Sequence, residues 1–309
     1  MTRVSVLRAG LLTTVQDAGR WGFQHYGVPV SGPMDPWSHR LANVLVGNAA
    51  TAATLEVTGT GPDLTFEAPA SAAITGARFR GELDGARWMS PVVLRVRAGS
   101  RLTFGERIAG FRGYLAVSGG FDVPAVLGSR ATDLRSRLGG FRGRSLRDGD
   151  ELPLGRGSAN VVGTVPADAD WMFSARPCRL RVLPAPETGS RADMAFEALT
   201  HGSFTVSPRS DRMGYHLTGS NVRLDSGRRV SGPVATGVIQ LPPSGEPVLL
   251  MADRQTTGGY ALVAVVIAAD IPRAGQLGPG DRVEFEPCGP ESALRAMIAR
   301  EQALLAMSL

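Results

Sequence analysis

The sequence predicts a mostly-β protein with a few helices, arranged as two β lobes. Three features lead there. The first is a series of short runs, apolar or alternating and bounded by Gly or Pro: Val4–Leu7, Leu64–Phe66, Ala72–Thr75, Val92–Val96, Gly113–Val117, Leu180–Val182 and Val248–Met251. Runs of that length and punctuation read as strands. The second is composition. With 39 Gly and 21 Pro in 309 residues, the chain suits strands joined by tight turns better than a helical bundle. The third is a pattern that recurs in both halves: Val96-x-x-Gly99-Ser100-x-Leu102-x-Phe104, Leu146-x-x-Gly149-Asp150-x-Leu152-x-Leu154 and Leu277-x-x-Gly280-Asp281-x-Val283-x-Phe285. Each reads as a glycine turn feeding an alternating strand.

Three helices interrupt the strands. Asp35 suits an N-cap, Pro36 the first helical position and Gly47 the position after the end, so a helix runs from Asp35 to about Val46, with Trp37, Leu41, Val44 and Leu45 as its apolar stripe. A second runs from Arg191 to Thr200 and stops before Gly202. A third runs from Glu291 to about Met307, carrying Leu294, Met297, Ile298, Leu304 and Leu305. The longest apolar run, Ala261–Ala269, is far short of the ~20 residues of a membrane span and reads as a buried strand.

A weak internal repeat supports two related lobes. Arg20-Trp21-Gly22-Phe23 with Gly27 matches Arg212-Met213-Gly214-Tyr215 with Gly219. Asp17 or Asp211 lies nearby, and each copy is followed by Ser-Gly-Pro, at Ser31–Pro33 and Ser231–Pro233. The patternless stretch from about Arg156 to Ala175 marks the boundary. The expected domains are 1–160, 161–290 and a C-terminal helix at 291–309.

Composition removes several function classes. The net charge is +5, spread along the chain without a basic arm, so nucleic-acid binding is not expected. Every basic residue is Arg. These 309 residues contain no Lys, hence no Schiff-base lysine, no Walker-type phosphate loop and no point of attachment for a covalently carried cofactor. Cys178 and Cys288 are too few for a disulfide framework, and the first 15 residues lack a long apolar leader, so the cytoplasm is expected. His25, His39, His201 and His216 show no metal-ligand spacing, so no metal site is expected. Neither a Gly-x-Ser-x-Gly elbow nor a Gly-x-Gly-x-x-Gly turn is present.

Three dense clusters remain. The first runs from Thr14 through Asp17, Arg20 and Gly22 to Asp35, a glycine-rich loop feeding a helix N-terminus, where backbone N–H groups suit an oxyanion or a carboxylate. The second spans Gly128 to Arg147. Arg130 and Arg144 are its anion-binding candidates, while Arg135, Arg137 and Arg142 read as a solvated basic loop. The third joins Gly237–Gly245, including Gln240, to Ala252-Asp253-Arg254-Gln255-Thr256-Thr257-Gly258-Gly259-Tyr260. It reads as a polar hairpin between two core strands. Groups so placed must satisfy each other or a ligand, and the expectation is a ligand site.

Together these clusters resemble the biotin-dependent carboxyltransferase-like family. The resemblance runs from about Val4 to Pro287 and is carried by Thr14–Gly22, Gly113–Gly120, Ser129–Asp150, Ser210–Tyr215 and Ala252–Tyr260. The family includes the carboxyltransferase part of urea carboxylase (urea amidolyase), proteins called allophanate hydrolase subunit 2, the C subunit of bacterial ATP-dependent 5-oxoprolinase, and KipA, antagonist of a sporulation-kinase inhibitor. The resemblance implies two cyclophilin-like β-barrel lobes. It also implies a smaller cyclophilin-like partner, called subunit 1 or the B subunit, in a heterodimer or heterotetramer. Relatives often carry Pro and a basic residue after Gly-Gly-Tyr, and an acidic residue after the serine at 231. Ala261-Leu262 and Gly232 stand here, departures that bear on the substrate more than on the fold.

The leading functional expectation is ATP-dependent hydrolysis of 5-oxoproline, allophanate or a related small amide, together with that partner. Arg20, Arg130, Arg144 or Arg212 would hold the substrate carboxylate, and Asp17, Asp253 and Gln255 would act as base or orienter. Gln240, Thr256, Tyr260 and the backbone near Gly258 and Gly259 would bind the reacting amide. ATP would bind in an unusual site or with the partner. An alternative is carboxyl transfer from biotin carried on another protein. A further alternative is non-catalytic sequestration of a kinase-inhibitor partner. The Ser-Ser-Lys chemistry of amidase-type allophanate hydrolysis is excluded for these residues by the absence of Lys.

Overall fold

The computed structural model describes residues 2–157, 165, 177–186, 190–223 and 230–306. The chain divides into two compact units: Met1–Arg20, Ser31–Trp171 and Ala303–Leu309 form one, and Trp21–Val30 with Met172–Gln302 the other. The predicted boundary at 160/161 lies outside the described residues. Both units are dominated by strands. Four α-helices occur among the described residues, and no described helix is long and apolar enough to cross a membrane.

The first unit contains β1 (Arg3–Arg8), β2 (Leu12–Gln16), α1 (Pro36–Leu45), β3 (Thr54–Thr58), β4 (Asp63–Phe66), β5 (Ala70–Leu83), β6 (Ala86–Met89), β7 (Val92–Val96), β8 (Arg101–Val117) and β9 (Glu151–Pro153). They form a nine-stranded sheet with the path β2-β3-β8-β4-β1-β9, and β5 pairs with β6, β7 and β8. The strand β8 is the shared member. Its first half pairs with β4, its second half with β3, and β5 runs along nearly its whole length. Among the described residues this sheet is a curled half-barrel, whereas the strands of the second unit close into a barrel.

The sequence shows only fragments of β5 and β8, because glycines punctuate both. In the fold those glycines sit at irregularities of one continuous pairing, with register shifts between Gly76 and Gly81. A bulge absorbs the extra residue and bends the strand without ending it. The helix α1 forms as its signals require. Asp35 caps it, accepting from the Ser38 backbone N–H at 2.9 Å and the Ser38 hydroxyl at 2.6 Å, and Gly47 adopts φ 72° beyond its end. Such a cap is worth about 1 kcal/mol. Trp37, Leu41 and Leu45 are buried.

The second unit contains β10 (Cys178–Pro184), α2 (Ser190–Thr200), β11 (Ser203–Val206), β12 (Gly214–Gly219), β13 (Gly232–Pro233), β14 (Val238–Leu241), β15 (Val248–Leu250), β16 (Thr257–Gly258), β17 (Ala261–Val266), α3 (Ile271–Gly275), β18 (Arg282–Pro287) and, as far as Gln302, α4 (Pro290–Ala306). Seven strands close a barrel in the order β10-β17-β14-β15-β12-β11-β18, sealed by parallel pairing of β10 with β18. The apolar run at 261–269 is strand only to Val266. Ala268–Asp270 turn into a 3-10 helix that leads into α3. Along α4, Leu304 is buried, whereas Leu294, Met297, Ile298 and Leu305 are exposed.

The recurring glycine pattern is one structural device used three times. Gly99, Gly149 and Gly280 have φ of 81°, 85° and 88°. The next residue closes the turn in each, through Ser100, Asp150 and Asp281 N–H donating to Arg97, Arg147 and Gly278 carbonyls at 3.1 Å. Its side chain accepts from the turn's first backbone N–H, at 2.9, 2.7 and 2.8 Å respectively. The turn then locks onto an earlier strand. Gly99, Gly149 and Gly280 donate to Phe66, Val6 and Val206, which donate back to Ser100, Asp150 and Asp281.

The Arg-x-Gly-aromatic pair is not structurally repeated. Gly22 precedes a 3-10 helix at Gln24–Tyr26, whereas Gly214 opens β12. What the copies share is local: Asp17 and Asp211 each accept from the backbone N–H two residues on, at 3.0 and 2.8 Å.

His39, on α1, is wholly buried, with Nδ1 2.9 Å from the Thr54 hydroxyl, and burial pushes its pKa down to about 4. Between pH 6.5 and 4 the unfolded chain takes up a proton that the folded chain refuses. Stability therefore drops as the pH is lowered through that window, by up to about 1.4 kcal/mol per pH unit. In urea melts from pH 7 to 4.5, His39→Gln should have the flatter profile. Parallel profiles would show that His39 titrates freely.

Candidate functional site

The first unit gathers Asp17, Arg20 and Arg130 at one place. Asp17 accepts from Gly19 N–H at 3.0 Å, from the Ser129 hydroxyl at 2.6 Å and from the Arg130 backbone N–H. Arg20, fully buried, donates from Nε to the Val126 carbonyl at 2.9 Å and from Nη2 to the Ala131 carbonyl at 2.8 Å. Arg130 donates to the Val123 carbonyl and to Asp122, each at 2.7 Å. These residues fasten the 122–132 loop to the end of β2. Packing behind them is close. A methyl group on Gly139 would overlap the Ala131 carbonyl and the Arg20 guanidinium, and one on Gly140 would overlap the Thr132 hydroxyl.

Arg144 stands apart in a two-pronged pair with Asp150, at 2.7 and 2.8 Å, its guanidinium also 5.4 Å from the Phe141 ring. The Arg144 hydrogen bonds hold the Asp150 carboxyl below its ordinary range and raise the guanidinium in turn. Of the second cluster's two anion-binding candidates, Arg144 thus has a protein carboxylate across its fork, and Arg130 divides its hydrogen bonds between Asp122 and the Val123 carbonyl.

The second unit holds two close pairs, Arg212 with Asp253 and Gln240 with Gly258. Arg212 and Asp253 form a two-pronged pair at 2.8 and 2.9 Å with both side chains 5% exposed. The Arg212 carbonyl also accepts from Asp253 N–H at 2.9 Å, and Met213 from Met251. The segment 252–260 is not a hairpin. The strands it joins, β15 and β17, lie on opposite sides of β14, so the segment crosses over that strand. On the way Thr257–Gly258 pairs with Gly232–Pro233 in a separate two-stranded ribbon. Gln255, Thr257, Gly259 and Tyr260 are exposed, and Thr256 is half-buried.

Sequence reasoning missed Arg254, Glu56 and Tyr114. Arg254 is buried and holds the ribbon's approach, donating to the Thr236 hydroxyl at 2.6 Å and the Val234 carbonyl at 3.3 Å; burial lowers its pKa. Its place beside Asp253 in a polar segment was the only hint of that role. Glu56 is buried on β3, accepting from Met34 N–H at 2.8 Å and the Tyr114 hydroxyl at 2.7 Å, which itself accepts from Asp35 N–H at 2.8 Å. Burial, reinforced by Glu56, raises the Tyr114 pKa well above its ordinary value and keeps the hydroxyl protonated. A charged residue inside a strand buried on both faces was the available signal, since every residue of β3 is buried. Among the described residues no cluster has the makings of a metal site, and Cys178 and Cys288 are free thiols.

A curled β sheet, a seven-stranded barrel and a polar crossover clamped on the barrel by a buried ion pair make up the fold that the comparisons assign to the carboxyltransferase domains. Residues 26–287 match the family model described as carboxyltransferase domain, subdomain A and B, and the chain belongs to that family. It is 38% identical over 294 residues to the C subunit of 5-oxoprolinase from Escherichia coli K12, a match that covers 95% of this chain and 94% of that protein. Among solved structures, TTHA0988 is 38% identical with a TM-score of 0.81, over 93% of this chain and 56% of that one. Kluyveromyces lactis urea carboxylase is 30% identical with a TM-score of 0.89, over 98% of this chain and 29% of that one. The chain therefore spans about half of one of these solved structures and less than a third of the other.

Proposed function

We propose that this chain is the C-type subunit of a heteromeric enzyme that hydrolyses a small amide or lactam, with 5-oxoproline the first candidate and allophanate-type amides next. One observation carries the reading: the match to the C subunit of a 5-oxoprolinase extends over nearly the full length of both proteins. The site is the crossover 252–260. Its base is the Arg212–Asp253 pair, whose groups are committed to each other, so Asp253 holds the segment and does not serve as free base. Gln255, Thr256 and the backbone near Gly258 and Gly259 are what the segment offers a substrate amide. Asp17, Arg20 and Arg130 brace their own loop.

ATP fits poorly on the candidates at hand. The guanidinium forks of Arg144 and Arg212 are filled by Asp150 and Asp253, Arg130 is shared between Asp122 and the Val123 carbonyl, and no Lys is present to meet a phosphate. The nucleotide belongs with the smaller cyclophilin-like partner or at a site which that partner completes, and the complex works in a reducing cytosol.

A second reading is favoured by the family description: a carboxyltransferase component receiving a carboxyl group from biotin on another protein. Co-purification with the product of the neighbouring gene separates the two. ATP hydrolysis stimulated by 5-oxoproline supports the first reading. Carboxylation of urea that requires a biotinylated carrier replaces it with the second, and stimulation by no amide overturns the first.

A further inference from the structure

Gln240 lies in the wall of the barrel yet has a polar end with nowhere to go. It is 2% exposed, and its Nε2 is buried with no hydrogen-bond partner among the described residues. An unpaired buried amide donor is a cost that packing alone does not require, since an apolar residue of similar size would fill the same space.

Two independent features surround it. The pairing of β14 with β17 slips by one residue between Ile239 and Gln240, a bulge that re-aims the side chain. Above the amide sits Gly258, where a methyl group would fall on Nε2. Gly258 belongs to the β13–β16 ribbon, a sheet separate from the barrel wall. The ribbon is anchored near its base by Arg254 and by Val234 N–H donating to the Thr256 carbonyl at 3.1 Å.

We propose that Gln240 reads the amide of the substrate, and that the ribbon Gly232–Pro233/Thr257–Gly258 is the cover the substrate displaces to reach it. The inference rests on the crossover being the substrate site. A carboxamide presents a donor and an acceptor on one edge. Its two-point complement is a group with C=O and N–H on the same side: a lactam, whose ring fixes the amide cis, or a urea. An open-chain secondary amide, which is trans, places them on opposite sides and can satisfy only one. The ligand class is therefore a small cis amide. Glycine is needed at 258 because any side chain there would push the amide out of line.

The test uses the complex with its partner protein. Two measurements run in parallel: steady-state kinetics, and the side-chain amide signals of 15N-glutamine-labelled protein, with Gln240 assigned by its loss in Gln240→Leu. For 5-oxoproline, Gln240→Leu should raise KM at least about tenfold, with kcat changed less than about threefold and no fall in Tm, because a donor without a partner has been removed. The Gln240 signals should shift with 5-oxoproline or urea but not with N-methylacetamide. Should Gln240→Leu fail to fold, Gly258→Ala should give the same rise in KM. An unchanged KM in the folded variant overturns the proposal, as do signals that respond equally to N-methylacetamide or to none of the three. If the complex turns over no amide but the Gln240 signals still distinguish cis from trans, the proposed function fails and the binding role stands.

Discussion

Asp253→Ala is expected to cost about 3–5 kcal/mol. The reason is burial. Both members of the Arg212–Asp253 pair have side chains 5% exposed, and both prongs are short, at 2.8 and 2.9 Å. Removing the carboxylate leaves a guanidinium that can neither be hydrated nor lose its proton. Against the ~5–15 kcal/mol that separates folded from unfolded states in typical domains, that loss is severe. Replacing both residues at once, Arg212→Met with Asp253→Leu, should recover most of it, because a buried ion pair and a well-packed apolar pair are of comparable worth. Chemical denaturation of the four proteins of the cycle gives the coupling directly. A single-variant loss under ~1 kcal/mol would mean that the pair is open to water and that the crossover 252–260 is held by something else. The double variant should fold yet bind substrate poorly, since the crossover would lose the charge that fixes its first turn.

Gly139→Ala should cost about 3 kcal/mol in the first unit. Gly139 has φ 67°, where a side chain costs roughly 1–2 kcal/mol. Its methyl group would meet the Ala131 carbonyl and the Arg20 guanidinium, neither of which can move without breaking the hydrogen bond between them. Overpacking of that kind adds roughly 1–3 kcal/mol. Gly128→Ala is the control. Its φ is 76°, and nothing lies within 4 Å of where its methyl would go, so only the backbone cost of about 1 kcal/mol should appear. Thermal melts of the two variants side by side decide it. Equal shifts would mean that Arg20 does not pack against Gly139.

Local grammar was enough for a good part of the fold. The cap, proline and glycine of α1 lie within a dozen residues of one another, and the helix forms where they place it. The glycine turns at 99, 149 and 280 were legible for the same reason, each needing only a positive φ and a side chain that folds back on its own turn. The composition of the 252–260 segment also showed a run of polar residues between two core strands, which is where the fold has it.

What the segment does was decided elsewhere. Asp253 finds its partner 41 residues away, and Arg20 finds the Ala131 carbonyl 111 residues away. No periodicity connects such pairs, because they meet only after strands have chosen their neighbours. The same holds for β5 and β8, whose glycines read as breaks until their mutual pairing turns them into bulges. A hairpin became a crossover for this reason too: alternation along a strand says which face is buried, but not which strand lies beside it. The sequence by itself determined turns, caps and the identity of the polar clusters, since those are set by dihedral preferences over a few residues. Tertiary structure alone decided which arginine forks are filled, and that Gln240 keeps an unanswered donor beneath Gly258, since buried groups are paired or left unpaired by long-range packing.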